Sequence, residues 1–183
     1  TIVLMPGHAE TTTAIAFDMA GVRVLGLGYG RNRPTLTATT AATDLINVTA
    51  ANGELINVRL VGAASGVTAL LDGSAAATDF GCYNCEFVAA ATPLKLVTWS
   101  GARPIVKDLV VTQSANGVDY IVAFEAGVDG FVFERWRVMC QSGIDNGLFL
   151  SGAFAHLGYI VNDIVVVGLD TLLLSFASSI GVD

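Results

Sequence analysis

Leu55-Ile56-Asn57-Val58-Arg59-Leu60 and Cys82-Tyr83-Asn84-Cys85-Glu86-Phe87 follow one pattern: apolar, any, corner, apolar, any, apolar. It recurs as Val106-Lys107-Asp108-Leu109-Val110-Val111, Phe133-Glu134-Arg135-Trp136-Arg137-Val138 and Val161-Asn162-Asp163-Ile164-Val165-Val166. A degenerate earlier copy is Val24-Leu25-Gly26-Leu27-Gly28-Tyr29. The central positions 26, 57, 84, 108, 135 and 163 lie 31, 27, 24, 27 and 28 residues apart. Side chains alternate along a strand, so two apolar residues three apart cannot both face inward on a straight one. They can if the residue between them turns the chain onto a new sheet. Asn and Asp tolerate the left-handed conformation such a turn needs. Gly26, Asn57, Asn84, Asp108, Arg135 and Asp163 are therefore expected to form a corner ladder, with Asn57 stacked on Asn84.

Between successive copies lies a second apolar strand: Leu45–Val48, Val67–Leu71, Leu94–Val97, Tyr120–Phe124, Leu148–Leu150 and Leu172–Leu174. No helical periodicity holds for three turns, and short β-branched runs bounded by Gly, Asn, Asp and Ser replace it. Each unit of 24–31 residues thus carries at least three short strands, enough for one coil of a right-handed, single-stranded parallel β-helix. The expected fold is all-β, with six to seven coils stacked at about 4.8 Å. Residues 1–37 would form the first coil and its lead-in, 38–176 the repeated coils and 177–183 a C-terminal tail. Stacking also predicts electrostatic ladders: Asp108, Arg135 and Asp163 alternate in sign, Arg59 meets Glu86, and Lys107 meets Glu134.

The composition is unusual for such a prism. Of 183 residues, 53% are hydrophobic and 14% charged, and mean hydropathy is +0.64. Average domains carry about 25% charged residues. Apolar runs such as Ile164–Leu169 fall short of the ~18 residues of a spanning helix, so no membrane partner is expected. With a net charge of −7 and no Lys/Arg cluster, no nucleic-acid partner is expected either. Three cysteines make no disulfide framework. Thr1-Ile2-Val3-Leu4-Met5 reads as a strand already in progress, which points to residues upstream of it.

Met5-Pro6-Gly7-His8-Ala9-Glu10-Thr11, Ala20-Gly21-Val22, and Gly26-Leu27-Gly28-Tyr29-Gly30-Arg31-Asn32-Arg33-Pro34-Thr35-Leu36-Thr37 carry a resemblance. Together with Asn84-Cys85-Glu86-Phe87, this chain resembles right-handed parallel β-helix structural proteins of tailed bacteriophages, from Thr1 to about Asp163. The resemblance implies a virion protein and no particular set of functional residues.

Cys82-x-x-Cys85 has redox and zinc spacing, but the other full copies hold Leu/Val, Val/Leu, Phe/Trp and Val/Ile at those positions. Core is the expected role for both cysteines, and Cys140 reads the same way. Gly26-x-Gly28-x-Gly30 lacks the third glycine and following helix of a dinucleotide loop, so no cofactor is expected. Asp79, Asp129, Glu125, Arg103 and Asp119 are the candidates for a polysaccharide-cleaving site, which needs paired carboxylates. They form no dense acidic patch along the repeat, and neither a catalytic nor a metal site is expected. Of the aromatic residues Trp99, Tyr120 and Trp136, the last aligns with core.

Outward positions Ile56, Val110, Val165 and Leu173 are apolar, which marks an interface. The expectation is a homotrimeric, non-enzymatic virion protein decorating and cementing the phage head, with the major capsid protein or other virion components as partners. The rival expectation is a tail-spike or fibre domain that binds or degrades host polysaccharide.

Overall fold

The computed structural model describes residues 1–41, 43–91, 95–113, 118–124, 128–150 and 160–176. Every strand pairing among them is parallel, and the chain winds as a β-solenoid. Five rungs consist of three separate strands each. The first face stacks β1 (Ile2–Leu4), β4 (Arg23–Gly26), β7 (Glu54–Ile56), β10 (Gly81–Tyr83) and β13 (Ile105–Lys107). The second stacks β2 (Ala9–Thr12), β5 (Thr35–Ala38), β8 (Arg59–Gly62), β11 (Glu86–Ala89) and β14 (Val110–Gln113). The third stacks β3 (Ile15–Phe17), β6 (Ile46–Val48), β9 (Ala69–Gly73), β12 (Lys95–Trp99) and β15 (Val118–Phe124). Below them β16 (Val132–Leu150) and β17 (Ile160–Phe176) pass along all three faces as two further rungs.

The expected second strands are present with shifted ends. Leu45–Val48 is realised as Ile46–Val48, and Val67–Leu71 as Ala69–Gly73. The start of the prism differs from expectation. Residues 1–37 hold one complete rung, Ile2–Phe17, plus most of the first two strands of the next. The first rung escapes the repeat pattern because its connections contain Met5-Pro6-Gly7 and no Asn or Asp corner. The tail, 177–183, lies outside the described residues.

The corner motif explains the core. Asn57, Asn84, Asp108, Arg135 and Asp163 have φ of 51–57°, left-handed geometry, at the turn between first and second faces. The first four therefore let the apolar residues on both sides point inward: Leu55 with Val58, Cys82 with Cys85, Val106 with Leu109 and Phe133 with Trp136, all buried. Gly26 departs from the expected corner role. It ends β4 outside the left-handed region, and Gly28 (φ 112°) and Gly30 (φ 56°) turn the chain instead. A Cβ on Gly26 would lie 2.2 Å from the Asn57 carbonyl oxygen, so close approach of the next rung is what requires glycine there.

A second left-handed column, absent from the sequence expectation, turns the third face onto the first. It comprises Gly21, Asn52, Asp79, Arg103 and Gly130, φ 55–73°. Asn52, Asp79, Arg103 and Gly130 precede Asn57, Asn84, Asp108 and Arg135 by five residues each, so the first-face strands between them are short arcs clamped between two fixed bends. The interior of the described residues is largely apolar, with Thr98 buried among the apolar side chains. On the second face Leu36, Leu60, Phe87, Val111 and Val138 stack in register. Aromatic rings fill the lower rungs, with Phe124–Phe131 and Phe133–Trp136 centroids 4.6 and 4.7 Å apart.

Two variants separate backbone from side-chain effects at a corner. Asn57→Gly keeps the bend and loses the amide, at a cost of about 1–3 kcal/mol. Asn57→Val loses the amide and forces a β-branched residue into left-handed geometry, adding about 1–2 kcal/mol. Urea unfolding of both proteins measures the difference; equal midpoints would refute the bend's contribution.

Candidate functional site

The densest polar cluster surrounds the upper corner ladder. The Asn57 Nδ2 donates to the carbonyl oxygens of Gly26 (2.8 Å) and Gly28 (2.9 Å). Its Oδ1 accepts from Asn84 Nδ2 at 3.1 Å and from Arg33 Nε at 3.1 Å. The two asparagines are therefore stacked neighbours, as the repeat requires. Arg33 leaves the second rung and reaches two rungs down, donating to Asn84 Oδ1 (3.4 Å) and Glu86 Oε2 (3.5 Å). Arg59 Nε donates to the same carboxylate oxygen at 2.9 Å. The Arg33 and Glu86 side chains are only 13% and 18% exposed, so these ions are held in the surface and not merely laid on it.

Ion pairs then descend the prism. Arg23 pairs with Glu54 directly across one rung spacing. Arg103 binds Asp79 through two 2.6 Å bonds, within the second corner column. Arg135 binds Asp108 the same way, at 2.6 and 2.9 Å, within the first. Lys107 meets Glu134 at 2.9 Å in register. The expected alternation of Asp108, Arg135 and Asp163 is corrected at its last member: Asp163 bonds to Arg137, at 3.1 Å. The Arg135 Nε and Nη2 already donate to Asp108 and its Nη1 to Glu134, and Arg137 sits near enough to bond the backbone oxygen of Asp163 as well.

Arginine is a poor residue for left-handed geometry. At Arg103 and Arg135 the bidentate carboxylate on the rung above offsets that strain. The same contacts hold the Asp79 and Asp108 carboxyls below their ordinary value near 3.8, chiefly through the arginine hydrogen bonds. These acids are struts, and that is what they do chemically.

Of the candidate catalytic residues, Arg103 brings Asp79 and Asp129 together. Asp79 is committed to Arg103, while Asp129 is exposed and offers its backbone oxygen to the Arg103 N–H at 2.6 Å. Glu125 and the Asp119 side chain lie outside the described residues. Trp99 and Trp136 are interior, with Trp136 Nε1 donating to the Val106 carbonyl at 3.0 Å, and Tyr120 is half-buried.

Cys82 and Cys85 are free, buried thiols flanking the Asn84 corner. A hydrogen bond with Cys85 and burial push the Cys82 thiol well up. Both sulfurs are closed off from solvent, and thiolate chemistry needs an accessible one. The Cys140 side chain lies outside the described residues. Among the described residues no group of three His, Cys, Asp or Glu is placed to hold a metal. No helix among them is long and apolar enough to cross a membrane.

The exposed apolar surface coincides with the expected positions at Val165. Ile56 and Val110 face outward but are half-buried: Ile56 lies between Leu25 and Tyr83 in its column, and Val110 between Glu86 and Arg137. Neighbouring side chains one rung away cover them, an effect that a single-strand pattern does not register. Val165 is 46% exposed, and the Leu173 side chain lies outside the described residues. Among the described side chains, the exposed large apolar ones belong to the first two and last two rungs. Ile2, Val3, Met5, Met19, Leu27 and Tyr29 crown the first two rungs, and Met139, Ile160, Val161, Val165 and Val167 belong to the last two.

The pH response follows from the lowered carboxyls. A folded-state value below the unfolded one contributes stability above about pH 4, lost as pH falls through the folded value. The unfolding midpoint is expected to drop below pH 4, and Arg135→Met to weaken that drop while lowering stability modestly at pH 7. Urea titrations across pH 2.5–7 at ~0.1 M salt check this; an unchanged pH profile in the variant would refute the strut role of Asp108.

Searches against protein-family models, curated proteins and solved structures find no significant match to this chain.

Proposed function

We propose that this chain is a non-enzymatic structural component of a bacteriophage particle, self-associating as a trimer and cementing the head surface beside the major capsid protein. The observation that carries this reading is the use made of its charged side chains. Arg23, Arg59, Arg103, Lys107, Arg135 and Arg137 each pair with a carboxylate of an adjacent rung. The charged side chains brace one rung against the next, and exposed apolar side chains such as Val165 are open to contact with other proteins. A scaffold braced this way suits load-bearing. Its phage context rests on the sequence resemblance.

The tail-spike reading needs a solvent-facing groove with free carboxylates and aromatic rings. Asp79 in its arginine pair and Trp99 and Trp136 in the interior weigh against that use.

Two measurements test the proposal. Sedimentation equilibrium is expected to give three times the mass of the 183-residue chain. Particles lacking the protein are expected to lose genome at lower temperature, with the protein mapped to regular positions on the capsid lattice. Release of reducing sugar from capsular or lipopolysaccharide by the purified chain would instead establish the spike reading.

A further inference from the structure

On the third face Val48, Gly73, Trp99 and Phe124 stack in register, and Trp99 packs on Phe80 with ring centroids 5.3 Å apart. Side chains alternate along each strand, so the residues just before these share the opposite side of the sheet. That column reads Ala16, Asn47, Asp72, Thr98 and Ala123 on rungs one to five. Three oxygen-bearing side chains on consecutive rungs are thus bracketed by alanines. Asn47 and Asp72 are half-buried, whereas Thr98 is 5% exposed, and Leu70, Leu96 and Ala123 on the same side are buried too. Among the described residues, the buried side-chain polar atoms without a hydrogen-bond partner are Asn47 Oδ1, Thr98 Oγ1 and Trp99 Nε1. Trp99 Nε1 is a donor on the Phe80 side. The other two are oxygens of one column, set one rung above and one rung below the Asp72 carboxylate.

We propose that this column is a calcium site. Asp72 and Thr98 Oγ1 ligate the ion in the gap between their rungs, and a calcium-bound water donates to Asn47 Oδ1. Three observations select this ligand. Buried oxygens without partners are costly and call for an occupant that satisfies them. An ordered water satisfies either one alone, but the carboxylate between them selects a cation, and an all-oxygen set selects a hard one. Rung spacing then selects the ion. With rungs about 4.8 Å apart, an ion midway lies ~2.4 Å from an oxygen on each. Calcium bonds oxygen at roughly 2.3–2.6 Å, and magnesium demands a shorter distance of about 2.0–2.1 Å.

A carboxylate has two oxygens and about four lone-pair sites, so other contacts of Asp72 leave room for the ion. Only one of the three side chains is an acid, which is why no cluster of His, Cys, Asp and Glu marks the place. A single charged ligand puts the affinity at the weak end of the calcium range, about 10⁻⁴–10⁻³ M. Bound there, the ion ties rungs two, three and four on the third face, the same rungs that Arg33 joins at the first corner. The inference is independent of where the protein serves, and its test uses the isolated full chain.

The probe is terbium, which takes calcium's oxygen ligands and emits when a nearby indole is excited; Trp99 adjoins Thr98 in sequence. Indole-sensitised emission is expected to saturate and to be displaced by millimolar calcium, with magnesium needing at least tenfold more. Asp72→Asn and Thr98→Val are each expected to weaken terbium binding at least tenfold, while Thr98→Ser, which keeps the oxygen, stays within about twofold of the parent. Calcium at constant ionic strength is expected to raise the urea midpoint of the parent and leave that of Asp72→Asn unchanged. Near-ultraviolet circular dichroism checks that the variants are folded, and Asp72→Asn, at a half-buried side chain, keeps the test decisive if Thr98→Val is not. Emission that calcium does not displace, equal displacement by magnesium, or unchanged binding in Asp72→Asn would overturn the proposal. So would crystals grown with calcium in which the column holds water alone.

Discussion

A left-handed residue at the same place in successive rungs is the constraint on which the prism depends. Straight strands alternate their side chains, and a closed apolar core requires that alternation to be broken where one sheet ends and the next begins. Asn57, Asn84, Asp108, Arg135 and Asp163 break it at one edge, and Gly21, Asn52, Asp79, Arg103 and Gly130 at another. Because the four pairs from Asn52–Asn57 to Gly130–Arg135 are five residues apart, the first face has a fixed length between them, and differences in coil length fall on the other two sides.

The bends determine where charge is useful. Side chains that leave a bend project from the prism edge and meet their counterparts one rung away, at the distance of adjacent strands. Asp79 with Arg103 and Asp108 with Arg135 exploit this twice, each acid stabilising an arginine in a conformation unfavourable to it. A single exposed pair contributes little. Here the pairs act by holding register between rungs, which a uniform valine-rich edge leaves weakly specified.

Much of this was legible in the sequence. The phase of Leu55-Ile56-Asn57-Val58 forces a corner, and the Arg59–Glu86 and Lys107–Glu134 contacts follow from aligning the copies. The second corner column was not read because its members share no residue type. Asn52, Asp79, Arg103 and Gly130 have only their constant offset in common, and that offset was the signal available. The first rung was hidden for a similar reason, since its bends use glycine and proline connections of different length. Exposure at Ile56 and Val110 was misjudged because cover comes from the rungs above and below, whose side-chain directions a strand pattern does not contain. Arg33 could not be found by repeats at all: its reach over two rungs depends on the loop between β4 and β5, which occurs once.

The spacing of the corners also governs how the molecule can assemble itself. Each rung closes on its predecessor over 24–31 residues, so every step meets nearly the same loop entropy, about 3 kcal/mol before constants. Growth is then a one-dimensional process of equal increments, each rewarded by a new layer of core. Arg33 interrupts that uniformity by joining the second, third and fourth rungs through one guanidinium. Forming that contact requires all three rungs to be in place, so it couples their order more tightly than nearest-neighbour stacking does.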